Sequence, residues 1–527
     1  MGHGLRGRAG KPEQPDSMTE QSPDAIVIGS GPNGLCAACV LAKAGLRTLV
    51  LEAHPKRPGG AVGSQEATLP GFIHDVGAAF FPFGTLSPAF RALDLAGQGL
   101  RFRHAEIESA HPAADGSLAI LSRNSDLMQN QFGSARDGAT WRRLTEQYAG
   151  MESSLLGAIL SPLMSMEQFA ATMRLPPLDA LRLLPVFLAS GRGFSMRTFE
   201  SGAARRVLPG LALHTDVGPD DAFGCGLGYM LAVMATTGGF SVAEGGSRAI
   251  TDVLVKVLEA GGGRLRLGAR VQRVIVADGR ARAVVLQGGE EIEAREAILA
   301  NTAAPNLFLD LIEREHLPGH VVRRMRRFAQ GWGTFKVDWA LSGPVPWTLE
   351  PCRRSAVVHA GDSLDDLSRF TRQVRAGQLP ERPYLVIGQQ SLCDPSRAPE
   401  GRHTLWAYSH VPSRVSGGWE NAKEGFADTI DQRIEELAPG FRSQILARQP
   451  VSPDDLEAMD ANLRGGDLGG GSNSWNHQMI FRPLFPYFRY RTPVRRLYLA
   501  SSYAHPGAGV HGMCGFNAAR VALRDLV

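Results

Sequence analysis

The sequence predicts an α/β protein: a Rossmann-like dinucleotide-binding domain interleaved with an α+β substrate domain. Three observations predict it. A strand, glycine turn, helix, strand and acid follow one another from residue 24. Strand and glycine-loop signals return over 240–305 and again from 485 to the end. The stretches between differ in character, mainly helical over 86–239 and mixed over 306–484.

The opening unit has a physical logic. Asp24-Ala-Ile-Val-Ile-Gly29 is a short apolar run, as a strand buried on both faces requires. Gly29-Ser-Gly31-Pro32-Asn33-Gly34 follows, then a helix over Leu35 to Ala44 that ends at Gly45. Gly29 permits the tight turn, Gly31 lets the backbone approach a pyrophosphate, and Gly34 lets helix and strand pack closely. Pro32 and Asn33 complete this anion-binding turn, where free N–H groups and the helix dipole favour negative charge. The second strand, Thr48–Leu51, ends at Glu52, 18 residues beyond Gly34. A carboxylate there accepts hydrogen bonds from a ribose diol and repels a 2′-phosphate, leaving NAD or FAD. A second glycine pair, Gly59-Gly60, can bring backbone N–H groups to the same cofactor and favours FAD.

Further along, helical patterns are expected around 141–163 and 178–189. Gly238–Gly246 is a glycine-rich loop before an amphipathic helix over 249–259. Strands are expected at 264–267, 271–277, 283–287, 291–294 and 297–300, with Asp278-Gly279 as a hairpin turn. Others are expected at 334–341, 384–389, 403–408 and 497–501, before a closing helix from about Met513 to Leu526.

Bulk properties bound the function. The 527 residues exceed one ordinary domain. A net charge of +4 carries no nucleic-acid signature. The six cysteines form no disulfide framework, and a reducing compartment is expected. No apolar run approaches the ~18 residues that span a membrane. The expected location is therefore cytoplasmic, or an organelle matrix if the N-terminus is a leader. Residues 1–22 read as a disordered extension, with Met18 an alternative start. Leu175 to Leu188, with Arg174 and Arg182, could seat on a membrane surface as a peripheral contact.

Some signals are discounted. Cys36-Ala-Ala-Cys39 lies inside the first helix and reads as buried packing rather than a redox pair. His505 and His511 lack further ligands at metal-binding spacing, so no metal is expected. His505 either faces the flavin or substrate, as a catalytic candidate, or caps the loop. Asp467, within Gly465–Gly471, is expected to line a cavity. Gly261-Gly-Gly263 follows a helix, so no separate NAD(P)H domain is expected. Electrons would leave for oxygen or a quinone-type acceptor.

Asp24–Gly34, Glu52, Gly59-Gly60 and the ending from Leu497 through Gly507, Gly509, Gly512, Gly515 and Arg520 resemble the phytoene desaturase-related FAD-dependent oxidoreductases. The similarity is greatest to the pyridine nucleotide-disulphide oxidoreductase domain-containing branch, with carotenoid isomerases and flavin amine oxidases more distant. The resemblance implies non-covalent FAD, with Gly507, Gly509 and Val510 along it and Val271 beside its adenine. It implies FAD-binding segments 23–85, 240–305 and 485–527, and substrate or cap segments 86–239 and 306–484. The implied reaction is oxidation of a lipophilic small molecule by hydride transfer to flavin. Flavin amine oxidation, carotenoid-type isomerisation and a silent FAD-bound interaction protein are the alternatives. The Leu-, Met- and Phe-rich region Leu155–Phe194 either caps the substrate site or is plain core packing. Lys336 lies mid-strand in Thr334–Leu341, where alternation separates Phe335, Val337 and Trp339 from Lys336, Asp338 and Ala340. It is either a solvated edge residue or, by similarity to the flavin amine oxidase strand, a catalytic cavity lysine facing the flavin.

Overall fold

The computed structural model describes residues 22–526. The expectations for an N-terminal extension, a leader and a start at Met18 fall on residues 1–21, outside the described residues.

Five strands form one parallel sheet, in the order Leu497–Leu499, Ala297–Ala300, Ala25–Ile28, Thr48–Leu51 and Arg264–Arg266. Ala25–Ile28 is central and buried along its whole length, which explains its unbroken apolar run. The helix Pro32–Lys43 leaves its C-terminal end and packs against the helices Arg248–Ala260 and Met513–Leu526. Gly515 makes the last contact possible: a Cβ there would stand 1.7 Å from the Asn33 carbonyl oxygen. The small residues opening the C-terminal helix thus let it approach the first helix. Cys36 and Cys39 are fully buried in this packing. Burial pushes the Cys39 thiol up to about 12, so neither forms a reactive thiolate of the disulfide-reductase kind.

Val271–Ala277, Arg280–Leu286 and Glu291–Glu293 form a three-stranded antiparallel sheet. Asp278 and Gly279, at φ +51° and +67°, make its first turn, both left-handed as a two-residue hairpin of this type demands.

The second large sheet has seven strands. Their order is Ile445–Val451, Gly333–Leu341, His403–Val411, Leu385–Gly388, Ser355–Ala360, Ile107–Pro112 and Leu118–Leu121. Phe335, Val337 and Trp339 face the helix Trp419–Leu437 and pack with Trp419, Phe426 and Ile434. Lys336 pairs with Tyr408 and Asp338 with Trp406 across the ladder, so these four share the opposite face. Helices between 135 and 237 cover part of that face, with Trp406 and Tyr408 joining a core of Trp141, Leu208 and Tyr229.

The chain therefore passes repeatedly between the two sheets, as the alternating sequence character predicts. The fold is α/β, with a Rossmann-like region interleaved with further helical and sheet elements. The Leu155–Phe194 region divides. The helix Glu152–Leu160 turns Leu156, Ile159 and Leu160 to the main cavity. The next two helices, Met166–Met173 and Pro177–Leu188, leave Met166, Phe169, Leu178 and Leu181 exposed. Among the described residues, no helix is long and apolar enough to cross a membrane.

Candidate active site

A cavity of about 990 Å³ lies between the two sheets. Its first wall is the end of the parallel sheet. Gly29, Gly31, Pro32, Asn33, Glu52 and Gly60 line it, joined by Val271, Asn301 and Thr302. The first helix opens onto it at Gly31, and among the described residues no side chain caps its free N–H groups. This is the geometry that attracts a phosphate.

Glu52 sits at the end of its strand, 9% exposed. One carboxylate oxygen accepts from the Ser30 N–H at 2.8 Å and the Ser30 hydroxyl at 2.5 Å; the other accepts from the His54 N–H at 2.8 Å. A carboxylate has about four acceptor positions, so one remains for a ligand hydroxyl. Gly59 does not line the cavity. Its N–H donates to the Ser30 hydroxyl at 3.2 Å, and so it braces the loop that holds Glu52. Gly34 also stands behind the surface. A Cβ there would lie 2.2 Å from the Gly29 carbonyl oxygen.

The C-terminal loop supplies the next part of the wall through Pro506, Ala508, Gly509, Val510 and His511. Gly507 lies behind it against the Arg482 guanidinium. Arg482 is buried and donates to the carbonyls of Gly469, Gly470 and Ser502 at 2.7–2.9 Å. It thereby ties the glycine-rich loop to the C-terminal loop. Asp467, as expected from its loop, lines the cavity; its carboxylate accepts from the N–H groups of Gly331, Gly469 and Gly471.

The residues fit a dinucleotide carrying a flavin. Five buried polar atoms on cavity-lining residues have no partner among the described residues: Asn33 Oδ1, Thr302 Oγ1, Trp406 Nε1, His410 Nε2 and His511 Nε2. Buried polar atoms seldom stay unpaired; those of Asn33, Thr302 and His511 stand on the glycine turn, the strand end and the C-terminal loop, and those of Trp406 and His410 on the strand His403–Val411 across the cavity. Together with the uncapped helix and the free acceptor position of Glu52, they form a set of contacts for an extended polar ligand.

Two expected catalytic residues lie elsewhere. His505 does not line the cavity. Its Nε2 is 3.1 Å from the Ser161 carbonyl, so it caps the loop; burial holds it down at about 4. His511 is the histidine that reaches the cavity. Its Nδ1 accepts from the Met513 N–H at 3.0 Å, which leaves the proton on the unpartnered Nε2. Lys336 is buried, contrary to a solvated edge, but it is also absent from the cavity wall. Its ammonium is ion-paired with Asp338, two residues along the same face, and Asp338 stands 3.6 Å from His74. Arg397, paired with Asp75 and Asp394, extends this buried network.

That network gives a prediction. Burial pushes Asp338 up to about 6 even with Lys336 beside it. Lys336→Met leaves a buried carboxylate without its cation, which costs about 3–5 kcal/mol when that carboxylate is ionised. The folded-state pKa of Asp338 then rises further above its unfolded value. The variant's deficit is therefore greatest above that pKa and shrinks as pH falls and Asp338 takes up a proton. Urea unfolding at pH 8 and pH 5 measures this. Equal deficits at both values would show that the pair is not the stabilising element.

The wall facing the sheet end was not legible as a motif. It contains His214, Asp216, Trp406, Tyr408 and His410, with the apolar side chains Leu227, Met230 and Leu231. Asp216 accepts from the Ser472 hydroxyl at 2.5 Å and the Asn473 N–H at 2.6 Å.

A Rossmann-like dinucleotide-binding protein is the class that this fold and cavity define. Residues 27–94 match the NAD(P)-binding Rossmann-like domain family. The chain is 29% identical to pyridine nucleotide-disulfide oxidoreductase domain-containing protein 2 of Rattus norvegicus, over 95% of this chain and 94% of that one. It is 26% identical to a neurosporene-forming phytoene desaturase of Cereibacter sphaeroides, over 93% and 92%. The fold overlays on cyclohexylamine oxidase from Brevibacterium oxydans with a TM-score of 0.60, at 15% identity, covering 96% and 99% of the two chains. Fold and relatedness point to an FAD-dependent oxidoreductase related to the pyridine nucleotide-disulfide oxidoreductase and phytoene-desaturase-like proteins.

Proposed function

We propose that the cavity holds FAD non-covalently and that the enzyme oxidises a small organic molecule seated beside it. The observation that carries this is the continuity of one cavity from the uncapped helix and Glu52 to the C-terminal loop and the Trp406–Tyr408 wall. In this reading Gly29, Gly31, Pro32, Asn33, Glu52, Gly60 and Val271 hold the nucleotide half. Gly509, Val510 and His511 lie along the flavin half, with Gly34, Gly59 and Gly507 as the packing behind them. Bound FAD would supply a two-electron acceptor for hydride. Leu227, Met230, Leu231 and Trp406 would exclude water from the substrate, and His511 Nε2–H would donate a hydrogen bond into the cavity.

Two substrate classes fit. The apolar wall and the desaturase and limonene dehydrogenase relatives favour a hydrocarbon-like substrate. The exposed side chains at 166–181 would then rest on a lipid surface that delivers it, and oxygen or a quinone would accept the electrons. Flavin amine oxidation has the stronger support from solved structures, since putrescine and cyclohexylamine oxidases share the fold over almost the whole chain. The carboxylates of Asp216 and Asp467 and the neutral imidazoles beside them suit a polar substrate end. Anaerobic bleaching of the flavin by polyenes, terpenes, aliphatic amines and saturated lipids decides between them. Bleaching by amines with peroxide release on admitting oxygen selects the amine class; bleaching by hydrocarbons alone selects the other. A flavin that no class reduces, in protein that retains it tightly, would favour a silent binding role.

Glu52→Ala tests the nucleotide half. Removing a charged acceptor is expected to weaken FAD binding by roughly 1–3 kcal/mol, read as the dissociation constant of FAD from the reconstituted apoprotein. Unchanged affinity would mean that Glu52 serves only Ser30 and His54.

A further inference from the structure

Behind the cavity's polar wall runs a continuous line of hydrogen bonds. The Tyr408 hydroxyl is 3.2 Å from His214 Nδ1, and His214 Nε2 is 2.7 Å from His359 Nε2. His359 Nδ1 is 2.8 Å from the Ser109 hydroxyl, which is 3.0 Å from His111 Nε2. Tyr408 and His214 line the cavity, whereas His359, Ser109 and His111 do not. The line crosses one sheet face from His403–Val411 to Ser355–Ala360 and on to Ile107–Pro112. It ends beside the exposed turn 114–116, whose flanks are tied down by Arg206 donating to the His111 and Ser117 carbonyls at 2.7 Å. The His111 and His359 rings stack at 4.7 Å, which fixes the spacing.

Five polar groups in one buried row are a costly arrangement unless each is satisfied. Here every link is made, and the links share a direction. A neutral imidazole offers one donor and one acceptor. If Tyr408 donates to His214, then His214 donates from Nε2 to His359, His359 from Nδ1 to Ser109, and Ser109 to His111 Nε2. The reverse order works equally well, with every proton moved one place. A row with two consistent directions is what passage of a proton requires.

We propose that Tyr408, His214, His359, Ser109 and His111 form a proton relay between the cavity and the hairpin turn at the sheet edge. The use given to it rests on the proposed redox reading of the cavity. Oxidation of an organic molecule by hydride removal also releases a proton, and the row offers a path for it away from the apolar wall. The substrate proton bonds to the Tyr408 oxygen. Tyr408 gives its own proton to His214 Nδ1, His214 gives its Nε2 proton to His359 Nε2, and His359 gives its Nδ1 proton to Ser109. Ser109 gives its proton to His111 Nε2, and the His111 Nδ1 proton leaves to solvent at the turn. One proton enters, one leaves, and no member ends charged.

The surroundings keep the row neutral. Burial pushes His111 and His214 down to about 3 and His359 well below its ordinary value. His410 faces His214, with its Nδ1 3.3 Å from the Gly333 carbonyl, and Arg206 stands behind His111. Asp216 and Asp467 act on His410 from across the cavity, and Asp115 and Asp362 on Arg206. Tyr384 stacks beside His359 without bonding to it.

The test uses the full chain with FAD bound. Photoreduction of the bound FAD in weak buffer with a pH-indicator dye reports proton uptake from solvent. Ser109→Ala removes one hydroxyl at the middle of the relay and leaves the cavity wall intact; His359→Phe is a second break that keeps the ring stack. Each is expected to slow uptake by roughly 100-fold, the low end of what a positioned proton-transfer group contributes, with FAD content unchanged. Uptake at the wild-type rate in both variants would overturn the relay. Nitrogen-15 spectra of imidazole-labelled protein give a readout independent of flavin. His111, His214 and His359 are expected to remain neutral down to about pH 5, with the Ser109→Ala change shifting His359 and His111 together. Ordinary titration of these three near ~6.5 would overturn the relay whether or not FAD binds. Protein that refuses FAD yet shows the three coupled neutral imidazoles would instead overturn the redox reading and leave the relay standing.

Discussion

Gly34→Val is expected to abolish FAD retention and to lower thermal stability sharply. A Cβ at this position would lie 2.2 Å from the Gly29 carbonyl oxygen and 2.9 Å from Asn301 Cβ. The first contact is with backbone, so no side-chain rotation relieves it. Either the first helix moves off the central strand or the glycine turn opens, and both displace the uncapped N–H groups from the cavity. Overpacking of this kind costs about 1–3 kcal/mol even where a core can yield, and here it acts on the binding turn itself. Gly45→Ala is the matched control. Gly45 has a left-handed φ of +89°, but nothing lies within 4 Å of a Cβ there. It should lose roughly 1–2 kcal/mol from backbone strain and keep its FAD. Flavin absorbance and thermal unfolding of the two variants measure the contrast. A yellow, stable Gly34→Val protein would show that close packing at the turn is not what forms the site.

Removal of residues 504–527 is the second large effect. The strand Leu497–Leu499 would survive, but the cavity would lose Pro506, Ala508, Gly509, Val510 and His511. The first helix would also lose its partner, since Cys514, Asn517, Ala518, Ala519 and Ala522 are buried there. Exposing this apolar face at ~25 cal/mol per Å² destabilises the same helix that presents the anion-binding turn. The truncated chain is expected to retain no FAD and to aggregate. FAD measured after gel filtration tests this. Truncated protein that elutes as a folded species with bound FAD would separate the C-terminal loop from the cofactor.

The nucleotide half was legible because its signals are local. Ala25–Ile28, the glycine turn and Glu52 lie within about thirty residues, and each type answers to one demand of the turn or strand. The residues also showed a strand and glycine loop near the end of the chain; its return to the cofactor domain was implied by the family resemblance, and its place at the edge of the parallel sheet comes from the structure. Lys336 shows where such reading ends. Alternation placed it on the correct face of its strand. Its partner was decided by Asp338 two residues on and by His74 from a distant hairpin, which periodicity does not reveal. His505 and His511 flank the same loop, and only the path of that loop decides which one meets the cavity. The opposite wall was the least legible part. His214, Tyr408 and His410 are single residues in ordinary segments, gathered by sheet register and by a loop after Gly202–Ala212. A local signal existed for none of them; the strand expected at 403–408 runs on to Val411 in the structure, which brings His410 onto the face of Trp406 and Tyr408.

The flavin itself can be measured. Protein purified without added cofactor is denatured, and the supernatant is analysed for FAD. Yellow protein that releases intact FAD at about one per chain is expected, because the uncapped helix, Glu52 and the C-terminal loop are all contributed by a single chain. Colourless protein that remains folded and takes up no FAD when reconstituted would contradict the proposed FAD site.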